Sequence, residues 1–88
     1  GFLLACKDDG FQPARRRLKG LLDKYGLAGT DMVNQLHRGL GEVAFLDEKQ
    51  KLAVTEAMAE TDFRMVEGGG EALQLDAMTA TICSLIGR

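Results

Sequence analysis

Between Pro13 and Gly26 the chain reads PARRRLKGLLDKYG, and this stretch limits the possible folds more than any other. Leu18, Leu21, Leu22 and Tyr25 fall at i, i+3, i+4 and i+7, one face of a helix. Pro13 suits a first helical turn, where its missing N–H costs nothing. Gly26 supplies the left-handed residue that closes a helix. No stretch sustains the two-residue alternation of a half-buried strand, and the abundant Ala, Leu, Met, Lys, Glu and Arg favour helix.

The same punctuation recurs along the chain. Residues 2–8 read as a short first helix ended by Gly10. After the GLAG turn, Thr30 or Asp31 is expected to cap a third helix with the stripe Met32, Val33, Leu36 and Leu40, ended by Gly39 and Gly41. Asp47 is expected to cap a fourth, burying Leu52, Thr55, Ala59, Phe63 and Val66. A fifth begins near Gly68, Gly69 and Gly70 and carries Leu75, Met78, Ile82 and Leu85, flanked by Leu73 and Ala77. It is open whether that helix starts at Gly69 or at Glu71. Short connections make successive helices neighbours, so the expected fold is all-α, a compact bundle of about five helices.

With 88 residues there is room for one domain and one modest core. A net charge of −2 gives no general attraction for a polyanion. No apolar run approaches the ~18–20 residues that cross a bilayer, and GFLLACKDDG lacks the basic start of a signal peptide. An apolar block opening at residue 2 without a methionine reads as the tail of a longer element, so residues 1–88 are expected to be a single helical domain cut from a larger protein. Cys6 and Cys83 lie near opposite ends. They read as two buried thiols in a reducing compartment, or alternatively as a bridge between the termini.

Catalytic groups are few. His37 is the only histidine, which excludes any site built on two. Cys83, beside Ile82 and Leu85, reads as core filler rather than a nucleophile. The glycine triplet is followed by Glu71, Ala72 and Leu73 and preceded by Glu67, without the Lys and Ser/Thr of a phosphate-binding loop. Flanking carboxylates would repel an anion. Arg15, Arg16, Arg17 and Lys19 form a basic cluster that spreads over more than half of a helix circumference. It reads as a solvated face whose long stems cover core edges, with contact to a neighbouring subunit or to a phosphate backbone as alternatives. Aromatic residues that stack on bases are not interleaved with it.

The order of the pieces carries a family resemblance. Phe11 with Ala14-Arg15, the turn Tyr25-Gly26-Leu27-x-Gly29, Glu60-x-Asp62-Phe63-Arg64, Glu67-Gly68 and Gln74-Leu75-x-Ala77 follow one another at characteristic spacing over roughly residues 5–82. In this the chain resembles the C-terminal collar domain of replication factor C small subunits, of the archaeal type. It departs at Ala59, where the family usually has Gly, at Gly70, where Asn is common, and at Gly39, where an acidic residue is common. The segment GEVAFLDEKQ also diverges.

The resemblance implies an oligomerisation domain. Replication factor C is an AAA+ clamp loader that places the ring-shaped sliding clamp on primer–template DNA using ATP and magnesium in its N-terminal domains. The C-terminal helices of five subunits close a collar that holds the ring together. This chain is then expected to be no enzyme, to hold no cofactor itself, and to act in the archaeal cytosol beside the nucleoid. Its partners would be small and large subunits of a heteropentamer, with clamp and DNA engaged through the parent complex. Arg64, Glu67, Gln74, Met32 and Gln35 are the expected interface residues, and the isolated domain is expected to self-associate. Arg64, Glu67 and Gln74 have a competing reading as an internal polar network fixing the last helix. The alternatives for the whole chain are the same domain in another clamp-loader-like AAA+ protein, a stand-alone nucleic-acid-binding helical module using Arg15 to Lys19, and a small enzyme.

Overall fold

The leucine face of residues 18–22 does form one side of a helix, and four more helices accompany it among the described residues. A computed structural model describes residues 1–87. The helices are α1 (Phe2–Asp8), α2 (Phe11–Tyr25), α3 (Gly29–Leu40), α4 (Glu48–Val66) and α5 (Glu71–Ile86), with no strand among the described residues. α5 is central: α1 and α2 pack on it and on each other, and so do α3 and α4. Its sequence suits that place, since Leu75, Met78, Thr79, Ile82 and Ile86 are all buried. The expected all-α bundle of five helices is the fold found.

The core runs through every helix. Ala14 of α2, Val54 and Met58 of α4, and Met78 and Ile82 of α5 are almost fully enclosed, with Cys6 of α1 beside them. Two buried threonines interrupt this apolar set. Thr61 donates its hydroxyl to the Ala57 carbonyl at 2.8 Å and Thr79 to that of Leu75 at 2.9 Å, so neither is left unsatisfied.

Helix ends follow the sequence closely in four places. Gly26 has φ 62°, and the Leu27 N–H reaches back to the Leu22 carbonyl at 3.1 Å, closing α2. Gly41 closes α3. The Asp47 side chain accepts from the Gln50 N–H while Gln50 accepts from the Asp47 N–H, a reciprocal capping box at the start of α4. Gly68, at φ 100°, ends α4: its N–H bonds the Met65 carbonyl and the Gly69 N–H bonds that of Arg64 at 2.8 Å. α5 therefore starts at Glu71, with Gly70 as its N-cap.

Four expectations are corrected. α3 begins at Gly29 behind Ala28, earlier than a Thr30 or Asp31 cap would allow, and Ala28 makes no side-chain cap. Glu71 of α5 takes over that role, accepting the Gly29 N–H at 3.0 Å. On α4 the inward residues are Val54, Met58 and Thr61, whereas Leu52, Phe63 and Val66 face outward. At the end of α5, Ile86 is buried and Leu85 is exposed, as is Leu73 in its first turn. Tyr25 also lies outside the core, with the Lys24 ammonium 5.3 Å from its ring centre.

Candidate subunit interface

α4 carries two apolar stripes, each at helical spacing. Val54, Met58, Thr61 and Met65 form the inner one and pack into the core. Leu52, Ala59, Phe63 and Val66 form the outer one. Leu52 is 59% exposed, Phe63 63% and Val66 71%. Periodicity alone cannot tell which stripe is inside, because both repeat every three to four residues. The neighbours of α4 decide it, and they cover the inner side.

Beside the outer stripe a groove of about 300 Å³ opens between α3 and α4, lined by Val33, Asn34 and His37 on one wall and Thr55, Ala59 and Asp62 on the other. On the opposite flank of the stripe stand Glu56 and Glu60 along α4, with Glu67 just past its end. Arg64 pairs with Glu60 four residues away, both side chains more than half exposed. Apolar side chains bordered by charged ones are the composition of a surface that excludes water at its centre and solvates its rim.

The interface residues expected from sequence are dispersed. Met32 is 4% exposed and belongs to the core, which removes it from the surface set. Gln35 lies exposed on α3 beside Leu36, Phe2, Leu4 and Phe45, which border a shallow depression. Glu67 is exposed just past the end of α4. Gln74 is half-buried against the glycine joint, where a Cβ on Gly69 would stand 3.1 Å from its Nε2. Arg64, Glu67 and Gln74 do not form the internal network of the competing reading, because the Arg64 guanidinium is turned to Glu60. Sequence reasoning missed Leu52 and Val66 as surface residues, having assigned their stripe to the core.

The basic cluster is divided as well. Arg15 binds Asp76 of α5 at 2.9 Å. Lys19 borders a groove of about 500 Å³ between α2 and α5, whose rim also holds Asp23, Glu71 and Asp76 over a leucine floor. Arg16 and Arg17 are exposed. Acidic groups thus interrupt the basic face on the α5 side.

Among the described residues no group of three or more His, Cys, Asp or Glu is placed to hold a metal ion. None of their helices is long and apolar enough to cross a membrane. What the fold and its surface define is an all-helical packing domain with a complete core and an apolar stripe left over.

A family model for the replication factor C C-terminal domain matches residues 2–81. The chain belongs to that family. It is 40% identical over 81 residues to the replication factor C small subunit of Methanocaldococcus jannaschii, covering 92% of this chain and 4% of that protein. The small subunit of Methanocella arvoryzae is 40% identical over 70 residues, 80% of this chain and 21% of its own length. That of Pyrococcus furiosus is 37% identical over 86 residues, 98% of this chain and 10% of the relative. The chain thus spans about a fifth or less of these relatives.

Proposed function

We propose that this chain is the collar domain of an archaeal-type clamp-loader small subunit, and that it joins neighbouring subunits through the outer stripe of α4. The exposure of Leu52, Phe63 and Val66 on one face of an otherwise well-filled bundle carries this reading. Each such side chain gains about 1.5–3 kcal/mol when fully buried, so three together are a substantial source of association energy. Arg64 and Glu67 would lie on the rim with Gln74 near the same end, where charged and amide groups give register more than affinity. Gln35 would lie outside this contact.

Contacts around a ring of this kind are heterologous, one face meeting a different face on the next subunit. The exposed Arg16 or Arg17 of α2 on the next subunit would offer a cation to the glutamates beside the stripe. ATP and magnesium would act in the nucleotide-binding domains of the parent protein. The sliding clamp and primer–template DNA would be engaged by the whole assembly in the cytosol.

The test introduces charge into the stripe. Phe63→Glu combined with Val66→Glu is expected to leave the thermal midpoint of the isolated chain within a few degrees of the original, because neither side chain is in the core. The same pair placed in a full-length small subunit is expected to abolish co-elution with its partner subunits in size-exclusion chromatography. Unimpaired assembly of that variant would sink the reading.

A further inference from the structure

α1 and α5 pack together with a cysteine from each helix at the contact. Cys6 and Cys83 meet at one groove between these helices, although the two residues lie near opposite ends of the sequence. The backbones converge too. A Cβ added at Gly87 would collide with the Cys83 carbonyl oxygen and stand 3.2 Å from that of Cys6. Both residues line one groove of about 390 Å³, bordered also by Asp9, Gly10 and Ser84. Cys6 is buried at its base and Cys83 is half-buried. This is an arrangement of two thiols in contact, with a route to one of them from outside.

We propose that Cys6 and Cys83 are a redox pair that a low-molecular-weight disulfide oxidises to an intramolecular bridge fastening α1 to α5. Cys83 is the sulfur an outside reagent can reach. Its thiolate, formed by loss of a proton to water, attacks one sulfur of the small disulfide. That S–S bond breaks, one small thiol leaves with a proton, and Cys83 is held as a mixed disulfide. The Cys6 sulfur then gives up its proton and attacks Cys83 Sγ, displacing the second small thiol. Two protein S–H groups and one external S–S bond become one protein S–S bond and two small thiols. The cysteine pair loses two electrons and the reagent gains them.

The order of the steps follows from the surroundings of Cys6. Burial first, then the polar side chain of Cys83 beside it and the charge Cys83 can carry, push the Cys6 thiol far above the ordinary thiol range. It therefore does not open the reaction. Once Cys83 is capped it carries no charge, so one of the three causes is gone when Cys6 must react. The bridge closes a loop that includes most of the chain, the case in which a cross-link restricts the unfolded ensemble most.

The native chain is treated with oxidised glutathione, and free thiols and intact mass are followed together. The expected product has no free thiol, a mass lower by two hydrogens, and a Cys6–Cys83 cross-linked peptide on digestion. Dithiothreitol should restore both thiols, and the oxidised chain should unfold at a higher denaturant concentration than the reduced one. Cys6→Ser should stop at a glutathione adduct on Cys83, and Cys83→Ser should leave Cys6 unmodified under native conditions. A wild-type chain that retains one glutathione per molecule overturns the proposal, as does one that reacts only when unfolded or forms a disulfide-linked dimer. Cys6 is in the core, where substitution puts folding at risk, so the wild-type mass measurement decides by itself.

Discussion

A Cβ added at Gly69 would stand 2.8 Å from the Arg64 carbonyl oxygen, inside the turn that ends α4, whereas at Gly70 it would meet nothing within 4 Å. Gly68 has open space but sits at φ 100°, where L side chains are strained. Three adjacent glycines therefore have three different tolerances. Gly69→Ala must displace backbone and is expected to destabilise the chain by about 1–2 kcal/mol, and Gly68→Ala by a similar ~1–2 kcal/mol through left-handed strain. Gly70, at φ −60° and ψ 124°, suits any residue. Gly70→Ala should be nearly neutral, because restricting the unfolded chain is offset by the poorer N-cap that Ala makes. Urea denaturation midpoints of the three variants check this ranking. The triplet read in sequence as a joint between two helices. That Gly68 turns the chain while Gly69 keeps Arg64 and Gln74 in contact with the turn depends on where the next helix packs, which three identical letters do not record.

At the scale of elements, α3 and α4 start in contrasting ways. The cap of α4 is local: Asp47 and Gln50 are three residues apart, and that spacing is visible in the sequence. The cap of α3 comes from Glu71, 42 positions away, through a single bond to the Gly29 N–H. No local signal could announce it, so a search for Ser, Thr, Asp or Asn settles on Thr30 or Asp31 and starts the helix too late. The outer stripe of α4 was misassigned for a related reason. Leu52, Ala59, Phe63 and Val66 have a helical period as good as that of Val54, Met58, Thr61 and Met65, and only packing against α3 and α5 selects between them. Asp47→Ala is expected to cost about 1 kcal/mol by loss of the box. Glu71→Ala should cost a similar ~1 kcal/mol by leaving the Gly29 N–H without its acceptor, while Glu71→Gln, which keeps an oxygen there, should lose less. Chemical denaturation of the three variants against the parent chain measures both effects. If Glu71→Ala had no effect, the cross-helix cap would contribute nothing to holding α3 on α5.

On the whole-molecule scale, charge decides between an assembling scaffold and a nucleic-acid-binding module. The chain has 11 Lys and Arg against 13 Asp and Glu. A basic face could still exist within that balance, but the arrangement works against one. Arg15 is held by Asp76 at 2.9 Å, Arg64 is paired with Glu60, and Lys19 shares its groove rim with Asp23 and Glu71. Arg16 and Arg17, though exposed, project about 100° apart around α2 and cannot both meet one phosphate strand squarely. Each phosphate neutralised on duplex DNA contributes about −0.9 to the slope of log affinity against log salt. With Arg16 and Arg17 the members of the α2 cluster clear of acidic neighbours, the isolated chain is expected to show a shallow slope, about −1 to −2, and no measurable duplex binding at physiological salt. Replacing Arg16 and Arg17 together by Ala should remove most of whatever binding remains at low salt, and leave thermal stability nearly unchanged. Fluorescence anisotropy on a labelled duplex across a salt series measures the slope. A value near −5 would mean that several cations converge on DNA together, and would make α2, rather than the stripe of α4, the working face of the domain.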